Sequence, residues 1–234
     1  MTPRASFVIP VYNAECWIAK SVESCLNQSV KQIEVIVVND ASTDSTKEIL
    51  DTLAKKDKRL IPVHLTENGG SAAARNLGNS KASSEIIMVL DADDMSMRNR
   101  AKLTLDFFEK RNPDVVWGEF FEIDAIGRLA NPRRIPCQAF IPEMQKKTRL
   151  NYICNSTMAY RKGVTLNVPY DTGEYGRLVI YDWKFQWDCF NKGYSMKHIK
   201  RPLCYYRSLK TSQSRVRNQA EVDALKDAYF GVTV

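Results

Sequence analysis

The chain begins with an unbroken apolar run, Phe7-Val8-Ile9-Pro10-Val11-Tyr12, the pattern of a strand buried on both faces. The period then changes. Trp17, Ile18, Val22, Cys25 and Leu26 recur at spacings of three and four, which predicts an amphipathic helix. Glu34 to Val38 is the second strand pattern. It runs into Asn39-Asp40-Ala41-Ser42-Thr43-Asp44, a stretch rich in residues that cap helices. Thr46 to Lys56 follows as a helix with Ile49, Leu50 and Leu53 on one side. Leu60 to Leu65 is a third strand, Asn68-Gly69-Gly70 a turn, and Ser71 to Ser80 an Ala-rich helix. Ile86 to Leu90 is a fourth strand. This alternation predicts an α/β fold with a mostly parallel, doubly wound central sheet flanked by helices. Such sheets bind ligands at the carboxyl ends of their strands, where the polar clusters after Tyr12, Val38, Leu65 and Leu90 all fall.

The second half is less regular. Arg98 to Arg111 reads as a helix and Val115 to Ile123 as a strand. Asp124 to Gln145 carries Pro132, Pro136 and Pro142 and reads as irregular chain. Asn151 to Arg161 predicts a strand, and Asp182 to Lys192 a helix with Phe185, Cys189 and Phe190 apolar. No repeat or linker divides the chain, so residues 1–234 are expected to form a single domain.

Composition narrows the class. With 234 residues, 44% hydrophobic and 26% charged, the chain can bury a sizeable core. No apolar run approaches the roughly 18 residues that span a bilayer. Met1 to Pro10 lacks a leader pattern, so a soluble cytoplasmic protein is expected, with room for peripheral attachment at the inner membrane face. Six cysteines, at 16, 25, 137, 154, 189 and 204, contain no C-x-x-C pair, and only His64 and His198 could join them. A zinc site is therefore not expected, and the thiols read as buried and reduced. The net charge of +7 admits nucleic acid, an anionic surface or phosphorylated substrates as partners. Its basic clusters are short, at Lys55-Lys56, Arg133-Arg134 and Lys146 to Arg149, as on ordinary solvated faces.

The densest chemistry is Asp91-Ala92-Asp93-Asp94, three carboxylates just past the fourth strand. That much negative charge is unfavourable without a compensating cation. Mg²⁺ or Mn²⁺ suits oxygen ligands and commonly takes one or two carboxylates together with substrate phosphates. The competing reading is a solvated turn capping the next helix.

FVIPVYN (Phe7 to Asn13), VVNDASTD (Val37 to Asp44), NGGSAAARN (Asn68 to Asn76) and LDADD (Leu90 to Asp94) stand in this order. Together the sequence resembles the family 2 inverting glycosyltransferases, whose fold is the nucleotide-sugar-binding GT-A type. The likeness continues more thinly through Ser156 to Lys162, Tyr181 to Trp183 and Tyr205 to Arg207. It implies a donor half at 1–98 and an acceptor half at 99–234. Pro10, Val11, Tyr12 and Asn13 would line the base and ribose pocket. Asp40 would accept from a uracil-type ring, with Ser42 beside it. Gly69 and Gly70 would admit the nucleotide closely, and Arg75 would contact base or phosphate. Asp91 and Ala92 would hold ribose or donor sugar. Asp93, with Asp91, would bind the Mn²⁺ or Mg²⁺ that bridges the diphosphate, and Asp94 sits beside it. The implied partners are a nucleotide-sugar, a UDP-sugar first, and a glycan, lipid-linked or other hydroxyl acceptor. A nucleic-acid acceptor and a homodimer stay open.

Transfer with inversion also needs a general base at the acceptor hydroxyl. With two histidines in the chain, a carboxylate is the better choice, and the resemblance implies Asp182, matching the Asp of the family's Glu-Asp pair. A helix cap is its local alternative. Two positions depart from the pattern: Tyr181 stands where the family usually has Glu, and Leu209 where many members have His. Arg207 or Lys210 could replace that His electrostatically. Trp117-Gly118-Glu119 and Asn155-Ser156-Thr157 would border the acceptor cleft, and Trp117, Trp183 and Trp187 could stack on sugar or pack in the core. His64 and His198 read as structural. Two rival functions remain, a sugar-1-phosphate nucleotidyltransferase and a noncatalytic sugar-nucleotide or glycan-binding module.

Overall fold

The computed structural model describes residues 2–130, 153–177, 180–209 and 219–230. The first four strands follow the apolar runs: β1 (Ala5–Val11), β2 (Ile33–Asn39), β3 (Leu60–His64) and β4 (Ile86–Val89). Between them lie α1 (Ile18–Leu26), α2 (Thr46–Lys56) and α3 (Gly70–Lys81). After them come β5 (Met95–Ser96), α4 (Arg100–Arg111), β6 (Val115–Ile123) and a 3-10 turn at Asn155–Thr157. The described chain continues with β7 (Ala159–Arg161), α5 (Lys162–Asn167), α6 (Glu174–Arg177), α7 (Tyr181–Asn191), β8 (Met196–Arg207) and α8 (Gln219–Tyr229). One sheet holds all eight strands in the order β3-β2-β1-β4-β7-β6-β8-β5.

The sheet is mixed. β3, β2, β1 and β4 run parallel, as the strand–helix alternation requires, but β7 pairs antiparallel with both β4 and β6. Because β1 and β2 are buried along their whole length, alternate residues feed two cores. Phe7, Ile9 and Val11 face α1 and α4. Val8, Ile36 and Val38 face α3, α5 and α7. Helix α3 approaches the sheet closely at Gly78, where an added methyl would lie 2.5 Å from a Val8 methyl. Gly78→Ala gains about 1 kcal/mol of helix propensity but overpacks by about 1–3 kcal/mol. We expect a net lowering of the melting temperature by a few degrees in a thermal melt.

The strand read over Asn151 to Arg161 is corrected by the structure. Residues 151 and 152 lie outside the described residues, Asn155–Thr157 is a 3-10 turn, and only Ala159–Arg161 pairs. The Thr157 hydroxyl donates to the Cys154 carbonyl at 2.7 Å, a local bond that competes with strand pairing. Strand β8 has little alternation to betray it, since MKHIKRPLCYYR is broken by charge and by Pro202. It forms because β6 offers a parallel partner, and the register shifts beside Gly118 and Glu119, where Pro202 sits. β5 belongs to the expected donor half yet pairs with β8, so one sheet spans both halves. Much of the expected irregular stretch, 131–145, lies outside the described residues.

Five cysteines are described, all as free thiols. Four are at least partly buried as expected, but Cys16 is exposed; Cys137 lies outside the described residues. No described helix is long and apolar enough to cross a membrane.

Candidate active site

The loops leaving β1 and β2 are stitched together at the carboxyl edge of the sheet. Asn13 donates its N–H to the Ser42 hydroxyl at 2.9 Å and accepts from the Thr43 N–H at 2.8 Å. Asp44 accepts from the N–H groups of Glu15 and Thr46, both at 3.0 Å. These bonds lower the Asp44 pKa against the opposing effect of burial. Asn13 and Ala41 both have positive φ, 48° and 58°. Asn tolerates that region, whereas Ala carries a steric penalty there. Strain of this kind persists only where the surroundings impose it. Ala41→Gly is therefore expected to raise stability by roughly 0.5–1 kcal/mol, measurable by denaturant titration.

Only part of the expected base and ribose pocket faces outward. Pro10 and Val11 are buried within β1, and Val11 belongs to the core. Tyr12 is 49% exposed and presents an aromatic face at the rim. Asp40 is turned inward: its two carboxylate oxygens accept from the Gly69 and Gly70 N–H groups, each at 2.8 Å. Gly70 has φ 85°, a conformation that needs glycine. Asp40 thus holds the turn into α3. Ala92 packs partly against the core.

Arg75, expected at base or phosphate, is 2% exposed and committed inside the protein. Its guanidinium pairs with Asp91 and donates to the Tyr181 hydroxyl at 2.7 Å. It also lies over the Tyr181 and Tyr170 rings, at 4.9 and 5.7 Å from their centroids. Asn155, with its amide oxygen turned inward, accepts from Arg75 Nε at 3.3 Å and Nη2 at 3.2 Å. The Asp91 side chain remains 32% exposed. Its backbone N–H donates to the Ser156 hydroxyl at 3.0 Å, so the 3-10 turn backs the acidic loop.

Arg207 secures the other side of that loop. It is 2% exposed; Nε donates to the Asp93 carbonyl at 2.7 Å, and Nη1 to the carbonyls of Asp124 and Ala125. Its backbone N–H donates to Asp94 Oδ1 at 2.7 Å. The Arg207 charge favours the ionised form of Asp93, and Lys210 lies outside the described residues. Arg100, fully buried, donates to the carbonyls of Val89 at 2.7 Å and Met158 at 3.0 Å, behind the end of β4. Three buried arginines therefore oppose the three carboxylates.

Compensation is incomplete. Burial, then the charge of Asp91, raises the Asp93 pKa from 3.8 to about 6, with Arg207 and Arg75 opposing. Burial and the charges of Asp93 and Asp91 push Asp94 well up as well. Asp94 is 1% exposed, and its Oδ2 has no hydrogen-bond partner among the described residues. Among the described residues no three His, Cys, Asp or Glu side chains converge to cage a metal ion. A desolvated, part-exposed Asp93 beside Asp91 does suit a hard cation that takes most of its ligands from phosphate and water.

Asp182 lies in the first turn of α7, where Ile180 is the cap position, so it is not the helix cap. Its Oδ1 accepts from the Trp183 N–H at 2.8 Å. Through its neighbour Tyr181 it is joined to Arg75 and Asp91. Asn155 and Ser156, expected at the acceptor cleft, also back Arg75 and Asp91. Pattern reading missed Tyr170, which carries no motif of its own, and had Tyr181 as part of the Tyr181 to Trp183 segment and as a departure from Glu.

Trp117, Trp183 and Trp187 are all buried. Trp183 and Trp187 pack against Val222 of α8, and Trp117 stacks on His198 at 5.6 Å. Glu119, Ser156 and Thr157 are buried too. His64 bridges Asp51 at 3.1 Å and Asn39 at 3.2 Å, which is a structural role.

A mixed sheet flanked by helices, with an acidic loop at its carboxyl edge, is the GT-A architecture. The chain superposes on S. aureus TarS in complex with UDP-GlcNAc with a TM-score of 0.72 at 20% identity, covering 97% of this chain and 66% of that one. It superposes on the mannosyltransferase PcManGT from Pyrobaculum calidifontis, in complex with GDP-Man and Mn²⁺, with a TM-score of 0.68 at 18% identity. That match covers 91% of this chain and 59% of PcManGT. The family model "Glycosyl transferase family 2" matches residues 6–167, and the chain belongs to that family.

Among curated relatives, an uncharacterized glycosyltransferase of Haemophilus influenzae is 38% identical over 125 residues, 53% of this chain and 50% of that protein. Glycosyltransferase GlyG of Streptococcus pneumoniae is 35% identical over 124 residues, 53% of this chain and 41% of that one. The chain thus spans half or less of these relatives' length.

Proposed function

We propose that the protein transfers a sugar from a nucleoside-diphosphate sugar to an acceptor hydroxyl, with inversion, by a single displacement. The observation that carries this reading is the junction of Asp91, Arg75 and Tyr181 at the carboxyl edge of the sheet. It ties the acidic loop of a family 2 fold to the helix turn that bears Asp182. Tyr12 offers a stacking face for the base. Asp91, held by Arg75, accepts from a ribose or sugar hydroxyl. Asp93, with Asp91 beside it, would hold Mn²⁺ or Mg²⁺. Such an ion neutralises charge on a departing diphosphate. Asp182 takes the proton of the attacking hydroxyl. A UDP-sugar is the first candidate donor, since TarS is a fold neighbour solved with UDP-GlcNAc. PcManGT, solved with GDP-Man, makes a guanine nucleotide the control. The acceptor is a hydroxyl of a glycan or lipid-linked intermediate.

A thermal-shift screen of nucleotide-sugars with and without Mn²⁺ tests the donor. A ligand at 100 times its Kd stabilises by about 2.7 kcal/mol, which raises the melting temperature by roughly 5–10 °C. Slow metal-dependent hydrolysis of the same compound would mark an enzyme. Binding with neither hydrolysis nor transfer would return the chain to the binding-module reading, and pyrophosphate release from a sugar phosphate plus nucleoside triphosphate would favour a nucleotidyltransferase.

A further inference from the structure

Tyr181 departs from its family, yet it is built into the site from every side. Its hydroxyl oxygen accepts from Arg75 Nη1 at 2.7 Å. Its ring lies under the Arg75 guanidinium and packs edge-on against Tyr170, with centroids 5.9 Å apart. The side chain is buried. Burial, together with the charges of Asp91 and Asp182, raises the phenol pKa against the opposing effect of Arg75, so Tyr181 stays neutral. A neutral acceptor holds the guanidinium without competing for its charge, which is left to Asp91. A glutamate at 181 would compete.

We propose that Tyr181 is a positioning residue: through Arg75 it locks Asp91, at the end of β4, to the first turn of α7, which carries Asp182. The carboxylate that meets the donor and the carboxylate that takes the acceptor proton are thereby held in one frame. The proposal rests on the reading of the chain as a transferase with Asp182 as base. Tyr181 touches neither reacting atom. Its effect falls on kcat, where both ends of the frame must be aligned, and little on donor binding.

Tyr181→Phe keeps the ring and removes the oxygen. Loss of a hydrogen bond to a charged group predicts about a 10-fold or larger fall in transfer kcat. Donor KM and calorimetric donor affinity should stay close to wild type, while the melting temperature should fall by a few degrees because Arg75 Nη1 loses a buried acceptor. Asp91→Asn combined with Tyr181→Phe should cost less than the product of the two single effects, because both act through Arg75. Tyr181→Glu should also lower kcat, although it restores the residue usual in the family. Wild-type kcat in Tyr181→Phe, full additivity with Asp91→Asn, or a gain of activity in Tyr181→Glu would each overturn the proposal. So would a fall in kcat accompanied by a matching loss of donor affinity, which marks a purely structural role. A readout free of turnover separates this from the functional reading. The Arg75 guanidinium NMR signals, protected from exchange in the wild type, should exchange faster in Tyr181→Phe and in Asp91→Asn. Unchanged protection in Tyr181→Phe sinks the frame whatever the activity, whereas a wild type inert toward all donors sinks only the transferase reading.

Discussion

Asp182→Asn is expected to lower transfer by roughly 10²- to 10⁴-fold, the usual contribution of a positioned general base. Asn is nearly isosteric and keeps an oxygen that accepts the Trp183 N–H, the bond seen at 2.8 Å in the structure. The first turn of α7 should therefore persist. What disappears is the ability to take a proton. Single-turnover assays should show the chemical step slowed, while calorimetry gives an unchanged donor Kd. Slow donor hydrolysis should fall too if water is activated by the same carboxylate. Near-normal turnover in Asp182→Asn would remove it as the base and send the search to another carboxylate.

Asp93→Asn is expected to abolish metal-dependent transfer and, in metal-free buffer, to make the protein more stable. The two effects have one cause. Burial and the charge of Asp91 raise the Asp93 pKa from 3.8 to about 6, so its ionised form is disfavoured in the folded state. A folded pKa above the unfolded one means that stability is lost as pH rises through that interval. Below about pH 4 the carboxyl is protonated in both states and the substitution gains nothing. Above about pH 6 the full cost is present, on the order of 1–3 kcal/mol after allowing for residual solvent. Thermal melts with chelator at pH 4 and pH 7.5 check the sign. A cation at Asp93 would reverse the balance, so adding Mn²⁺ with a nucleotide-sugar should stabilise the wild type more than the variant. Equal stability of the two proteins at pH 7.5 without metal would mean that Asp93 carries no such burden.

Much of the donor side was legible because its signals are local. Apolar runs of five or six residues bounded by turn signals read as buried strands, and their ends place Tyr12, Asp40 and the Asp91 to Asp94 segment on one edge. The same local reading could not tell which of several uses a side chain has. Asp40 and Arg75 have the residue types that meet nucleotides, but Asp40 caps the Gly69-Gly70 turn and Arg75 is sealed under two tyrosines. A carboxylate close to two backbone N–H groups, or a buried guanidinium close to a carboxylate, is a long-range fact that spacing along the chain does not encode. Trp183 and Trp187 repeat the lesson: the partner that buries them, α8, lies over 30 residues further on and has no strong pattern of its own.

The periodicity of apolar residues by itself determined the first four strands, their helices and the edge where polar loops collect, since these depend on nearest-neighbour spacing and burial. The ordered motifs assigned the family. Only the tertiary structure decided how the acidic loop bears its charge. Arg75 comes from α3, Arg100 from α4 and Arg207 from the end of β8, over a hundred residues after Asp93. Tyr181 in turn attaches Arg75 to the helix of Asp182. Coulombic and hydrogen-bond partners act through space at about 3 Å, and that distance is set by packing rather than by position in the chain.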